Sequence, residues 1–321
     1  MKCVVTGGAG FIGSHLVGRL MEKGHEVTVI DNLSGGRIEF IERYFSDDRF
    51  SFVKRDLSEN QPIREIKGAD VVFHLAANPD VKLGADDTHV HLRQNVIATY
   101  NVLESMRSLG VKNIVFTSTS TVYGEASVIP TPENYGPLVP ISLYGASKLS
   151  CEALISAYCG TFDMSAWIYR FANIIGDHGT HGVIYDFINK LRKDPARLAI
   201  LGDGRQSKSY LHVDDCVDGM LYALENSRGK VNIYNIGSED RIDVTGIGHI
   251  VAGEMGLERA EFTYTGGDRG WKGDVPVMGL SIEKIKALGW RPKYNSEVSV
   301  RRCARALLDE FTEDKGDHGR K

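Results

Sequence analysis

Tyr144 and Lys148 stand four residues apart in a segment patterned as a helix over Leu143–Cys159, a spacing that puts both on one face about a turn from each other. A phenol titrates near pH ~10 in isolation, so it serves as a general base at neutral pH only where positive charge favours its phenolate. An ammonium at Lys148 is such a charge. Tyr-x-x-x-Lys also arises on helices where the tyrosine is only a half-buried packing residue, so the pair needs companions. One is the hydroxyl-rich run Thr117-Ser118-Thr119-Ser120-Thr121, which closes a β-patterned segment; carboxyl ends of strands are where doubly wound sheets bind ligands. Together these side chains suit a general base at a ligand site.

Thr6-Gly7-Gly8-Ala9-Gly10-Phe11-Ile12-Gly13 follows an apolar strand pattern and opens a helical one through Ile12, Leu16 and Leu20 to Lys23. Gly7 suits the tight turn, Gly10 the close approach of a pyrophosphate, and Gly13 close packing of helix on strand, while unpaired helix N–H groups hold the anion. The Gly-x-x-Gly-x-x-Gly spacing is one residue longer than the commonest dinucleotide fingerprint. Asp31, about twenty residues on, ends the second strand pattern, where a carboxylate accepts from both adenosine ribose hydroxyls. That favours NAD over NADP, with Arg37 keeping the phosphorylated cofactor open and a simple Asp31-Asn32 turn as the structural alternative.

The elements that must position these groups alternate through the first half of the chain. Strands are expected at Lys2–Thr6, Glu26–Asp31, Phe50–Arg55, Asp70–Leu75, Asn113–Thr119 and Ser165–Arg170. Their nearly continuous apolar character suits burial on both faces of a parallel sheet, hence an α/β, doubly wound Rossmann layout over residues 1–170. Beyond Phe171 the alternation becomes irregular, and a smaller mixed α/β substrate lobe is expected over 171–311, some of it returning to the first lobe. From Thr312 the residues are mostly charged or glycine, and a disordered tail over 312–321 is expected. The 321 residues carry 38 basic and 42 acidic side chains, so no global positive field draws the chain to nucleic acid or to an anionic membrane. No stretch has the roughly 18 apolar residues of a spanning helix. The apolar N-terminus, interrupted by glycines, reads as mature folded sequence. Cys3, Cys151, Cys159, Cys216 and Cys303 show no Cys-x-x-Cys spacing, which argues against a disulfide framework or zinc knuckle and fits a reducing cytoplasm.

Over nearly its whole length the chain resembles the extended short-chain dehydrogenase/reductases, most closely the UDP-glucose (UDP-galactose) 4-epimerases of galactose metabolism. The segments that carry this are the Thr6–Gly13 loop, Asp31-Asn32-Leu33-Ser34-Gly35, Asp56-Leu57, His74-Leu75-Ala76-Ala77, Asn95, Thr117–Gly124, Tyr144–Lys148, Arg170–Asn173, Gly202–Asp215 and Gly273-Asp274-Val275-Pro276. The resemblance implies that NAD is held by Gly7, Gly10, Phe11, Ile12, Gly13, Asp31, Asn32, Ser34, Gly35, Asp56, Leu57, Leu75, Ala76, Ala77, Asn95, Thr117, Tyr144, Lys148 and Phe171. It makes Tyr144, Lys148 and Thr119 the catalytic set, with substrate contacts from Ser118, Thr119, Tyr144, Asn173, Val183, Lys208, Arg269 and Asp274. Relatives that dehydrate or decarboxylate nucleotide sugars place a carboxylate just after the catalytic hydroxyl. Ser120 and Thr121 stand there instead, which points to redox-neutral 4-epimerisation of a UDP-sugar through a 4-keto intermediate. Another nucleotide-sugar enzyme of the family, or a non-catalytic NAD-sensing protein, are the alternatives; the complete Thr119/Tyr144/Lys148 set argues against the sensor.

Departures from the pattern matter. Lys208 occupies a position where relatives often carry a diphosphate-gripping arginine, keeping the charge without the bidentate fork. Trp271 falls where another arginine is usual, leaving Arg269 or Lys272 to substitute, and Pro79 stands where some relatives have a cofactor-contacting lysine. Asp214-Asp215 read as caps of the helix that follows. His89-x-His91, in a helical stretch spanning Val90–Leu103, does not have the facing geometry of a metal pair, and no metal site is expected. His178 and His181 lie in a glycine-rich loop that either touches substrate or is plain surface, and Cys151 and Cys159 share a buried helix face. A homodimer through Val90–Leu109 and Leu143–Cys159 is what the resemblance implies.

Overall fold

The computed structural model describes residues 1–271 and 273–317. Its central sheet is built from β1 (Lys2–Thr6), β2 (Glu26–Asp31), β3 (Phe50–Lys54), β4 (Val71–His74), β5 (Asn113–Thr119), β6 (Ser165–Phe171) and a late strand, Val231–Ile236. The spatial order is Val231–Ile236, β6, β5, β4, β1, β2, β3, and every pairing is parallel. Successive side chains of a strand face opposite sides. Accordingly Cys3 and Val5, Val71 and Phe73, and Trp167 and Tyr169 enter one core, while Val4, Val72, Ile114, Phe116, Ala166 and Ile168 enter the other. That two-sided burial is why the strands read as unbroken apolar runs. The order reverses between β1 and β4, and the cleft at a doubly wound sheet's carboxyl edge opens at such a reversal.

The expected strands fall where the pattern put them, with ends moved by a residue: β3 stops at Lys54, β4 is Val71–His74, and β6 extends to Phe171, whose backbone pairs with Thr119 and Ile236. The Leu143–Phe162 helix runs three residues past Cys159 and ends on Asp163 in the left-handed conformation. In place of a regular helix over Val90–Leu103, Thr88–His91 and Ala98–Leu109 are joined by a π-turn at Leu92–Ile97, a local widening frequent at functional sites.

Residues after 171 serve both parts of the molecule. Val213–Asn226 sends Cys216, Val217 and Met220 into the core beneath the sheet, and Val231–Ile236 completes the sheet's edge. A separate core gathers Ile184, Phe187, Leu198, Ile200, Ile247, Val251, Val300 and Leu307, beside short two- and three-stranded sheets of mixed direction. Residues 312–317 continue the Ser296–Asp317 helix. Val300, Cys303, Ala304 and Leu307 anchor that helix, and a helix already nucleated extends at little cost. Residues 318–321 lie outside the described part. Among the described residues no helix is long and apolar enough to cross a membrane.

Candidate active site

The turn from β1 into α1 (Phe11–Glu22) is a cradle with no room for side chains. Gly7 has φ +71°, and a Cβ there would stand 2.6 Å from the Ala76 nitrogen; a Cβ on Gly13 would stand 2.0 Å from the Gly7 carbonyl oxygen. Gly10 caps α1 with no side-chain hydrogen bond, so the first-turn N–H groups of Phe11, Ile12 and Gly13 face outward for an anion. Asp31 accepts from Ala9 N at 3.0 Å and Leu33 N at 2.8 Å. Each carboxylate oxygen keeps a lone pair beyond those bonds. Burial pushes its pKa up against these backbone bonds. Asn32 turns the chain by accepting from Ser34 N, and Gly35 is open. Asp56 accepts from Ser58 and meets Arg93 at 3.3 Å, beside the buried Leu57. The loop thus meets Asp31 through Ala9 and Leu75–Ala76 through Gly7. Backbone cradle, anion-facing N–H groups and a carboxylate at the second strand's end fit a dinucleotide such as NAD.

Ser142 caps the Leu143–Phe162 helix by accepting from Gly145 N at 3.1 Å, which sets the azimuth of Tyr144 and Lys148. Lys148 is 3% exposed; its Nζ donates to the Thr117 carbonyl at 2.9 Å and lies 6.0 Å from the centre of the Tyr144 ring. Thr119 lies near enough to the Tyr144 phenol to favour its ionised form and accepts from Thr121 N at 3.2 Å. The expected trio therefore does converge. Acidification of the phenol is expected of the amine together with the nicotinamide ring, and the amine alone does not provide it: burial pushes Tyr144 up to about 12, with Thr119 offsetting only part of it. Burial likewise pushes Lys148 down to about 8. At that distance, and turned onto a carbonyl, the ammonium does not outweigh desolvation; a further positive charge beside the phenol is required.

Ser118 departs from its expected substrate role. Strand alternation turns it to the opposite face, where it is 3% exposed and donates to Glu152. Glu152 in turn grips Arg170 through Nη2 at 2.7 Å and Nε at 3.0 Å, and Arg170 reaches the Tyr123 hydroxyl and the Glu133 carbonyl. Sequence reading missed this pair, although Glu152 lies one helical turn beyond Lys148. It also missed that Asn95, in the π-turn, accepts from Asn78 N at 2.8 Å and donates to Ser147 at 2.9 Å. His91 is buried edge-on against Tyr144.

Across the cleft, Asn173 donates to the Ser209 carbonyl at 3.3 Å and Val183 begins the Val183–Lys193 helix. Phe171 is core, 6% exposed. Lys208 is paired with Asp274 at 2.6 Å. Arg269 donates to the Asp274 carbonyl at 3.0 Å and pairs with Glu125. The Trp271 ring has Lys82 Nζ 4.6 Å and Lys208 Nζ 5.2 Å from its centre; Lys272 lies outside the described residues. Asp214 and Asp215 are not the caps expected of them. His212 caps Val213–Asn226 by accepting from Asp214 N, and Asp215 instead accepts from Lys293 N and Tyr294 N at 2.9 and 3.1 Å.

The chain is similar to UDP-glucose 4-epimerase of Mycolicibacterium smegmatis, 35% identical over 91% of this chain and 94% of that protein. It is also similar to UDP-glucuronic acid decarboxylase 2 of Arabidopsis thaliana, 33% identical over 97% of this chain and 68% of that one. A crystal structure of a UDP-galactose 4-epimerase superposes with a TM-score of 0.87 at 44% identity, covering 97% of this chain and 100% of that one. Residues 3–237 match the family model described as the NAD dependent epimerase/dehydratase family, and to that family, with its NAD-dependent chemistry, this chain belongs.

Proposed function

We propose that the chain is a UDP-sugar 4-epimerase, interconverting UDP-glucose and UDP-galactose or a closely related pair. The observation that carries this is the meeting of Thr119, Tyr144 and Lys148 beside the phosphate cradle with Ser120 and Thr121, not a carboxylate, following the hydroxyl. The nearest acid along the helix, Glu152, is committed to Arg170 and Ser118, so it adds no acid/base capacity for eliminating or decarboxylating a sugar.

NAD, when bound, supplies the acceptor for the sugar C4 hydride and then its donor, together with the positive charge that the phenol lacks. Tyr144 takes the proton from the sugar hydroxyl oxygen and later returns it. Thr119 orients that hydroxyl. Lys148, fixed by the Thr117 carbonyl, keeps two N–H donors for a ribose. Reversal of stereochemistry needs a sugar free to turn and a nucleotide held fast. Asn173, Val183, Lys208, Arg269 and Asp274 are proposed for the holding, Lys208 sharing its charge between Asp274 and a diphosphate. The exposed Leu92, Ile97, Tyr100 and Leu143 support the helix-paired homodimer as part of the proposal, and five buried free thiols support a cytoplasmic setting.

Purified protein given UDP-galactose and no added NAD tests the reading. Appearance of UDP-glucose until the two reach equilibrium is expected. A stable keto or pentose product, or no turnover by NAD-containing protein, overturns it.

A further inference from the structure

Where α1 meets the loop after Asn173–Ile175, three metal-type donors converge. One ring nitrogen each of His15 and His178 and a carboxylate oxygen of Asp177 lie within 4.8 Å of one another. His15 Nε2 is 3.7 Å from Asp177 Oδ1 and 3.3 Å from the Asp177 carbonyl oxygen. Nitrogen and oxygen bonds to zinc are about 2.0–2.2 Å, so two ligands of one tetrahedral ion stand roughly 3.4 Å apart. The His15–Asp177 pair is already at that separation to within a few tenths of an ångström.

His178 is fixed with unusual completeness for a loop residue. Phe40 stacks on its ring at 4.0 Å and 3°, and His15 lies against it at 4.9 Å. Ser14 Oγ sits 3.0 Å from His178 Nδ1, yet that hydroxyl's single proton goes to the Phe11 carbonyl at 2.9 Å. Toward the imidazole it must therefore accept. Nδ1 then carries the hydrogen and Nε2 keeps its lone pair. The backbone at His178 has φ +63°, which non-glycine residues seldom adopt, and its N–H is held by Glu310 at 2.8 Å. Around the cluster, Arg19 and Arg43 are balanced by Asp177 and Asp214.

We propose that His15, Asp177 and His178 form a binding site for one divalent transition ion of the zinc class, pinning α1 to the loop that follows Asn173–Ile175. Two imidazoles with one carboxylate select zinc, nickel or cobalt over magnesium or calcium, which prefer all-oxygen shells. Water or the Asp177 carbonyl completes the shell.

The test uses untagged, NAD-loaded protein titrated calorimetrically with zinc chloride, with magnesium chloride as control. One zinc per chain, a higher Tm with zinc, and no response to magnesium are expected. His178→Asn, which tolerates the left-handed backbone, and Asp177→Asn each weaken zinc binding at least tenfold while turnover without metal and NAD content stay as in the parent. Absence of zinc binding by the parent, or parental affinity in His178→Asn, overturns the site. Should His178→Asn lose NAD through misfolding, His15→Gln decides by the same tenfold criterion.

Discussion

Glu152→Gln offers the sharpest test of how this site is supported. Glu152 and Arg170 are each 4% exposed, joined by contacts of 2.7, 3.0 and 3.2 Å. The amide keeps the shape but removes the charge and turns an N–H₂ toward guanidinium donors. Breaking a buried pair on one side costs about 3–5 kcal/mol, because the remaining charge is stranded away from water. At about 2.1 cal/mol/K per residue, a chain of 321 residues unfolds with an entropy near 0.7 kcal/mol/K, so the Tm should fall by about 4–7 °C. Removing both charges in Glu152→Leu/Arg170→Met leaves no stranded ion and should recover much of that loss. Far-UV circular dichroism of NAD-loaded protein, at one scan rate, measures all three. A fall of under about 1 °C in the single variant, or a double variant no better than the single, refutes the argument that the pair's desolvation dominates.

Tyr144→Phe removes only the oxygen that Thr119 meets; turnover should fall by at least about 10²–10⁴ with NAD still bound by absorbance, and near-parental rates would remove Tyr144 as the base. Asp31→Ala gives up charge-assisted bonds to a ribose, so NAD retention after gel filtration should weaken by roughly 10–100-fold; unchanged occupancy counts against that contact. His74, fully buried between Thr6 at 2.7 Å and Thr99 at 3.0 Å, has its pKa pushed down to about 3 by burial. Unfolded, it binds a proton near pH ~6.5, so between those values the unfolded chain holds more protons and stability must fall as pH falls. The slope of Tm against pH should flatten in His74→Gln, and an unaltered slope would show that other groups set it.

The sheet was legible because burial on both faces leaves a direct mark: short, β-branched apolar runs such as Val71-Val72-Phe73, bounded by polar residues, suit a buried strand. Asp31 and the glycine loop were legible because their chemistry is local to one turn. Ser118 was misjudged because a run of five hydroxyl residues hides which alternate to which face, and strand register settles that only with Glu152 in place. Spacing on a helix reports direction, not distance or dielectric, so it left unseen that burial of Tyr144 and Lys148 alters both titrations more than their proximity does. The Glu152–Arg170 pair joins a helix to a strand, and the Lys82–Trp271 contact links residues far apart in the chain. Such meetings leave no periodic trace.

Val231–Ile236, which seals β6 from Ala166 to Phe171, has a consequence for how the molecule is made. As the chain leaves the ribosome at roughly 5–20 residues per second, β6 waits several seconds for its neighbour. During that wait an apolar strand presents bare N–H and C=O groups, an open template for pairing with other nascent chains. Biogenesis, rather than the finished protein, is where this topology is exposed to error, and any chain ending before Ile236 would carry that sticky border permanently.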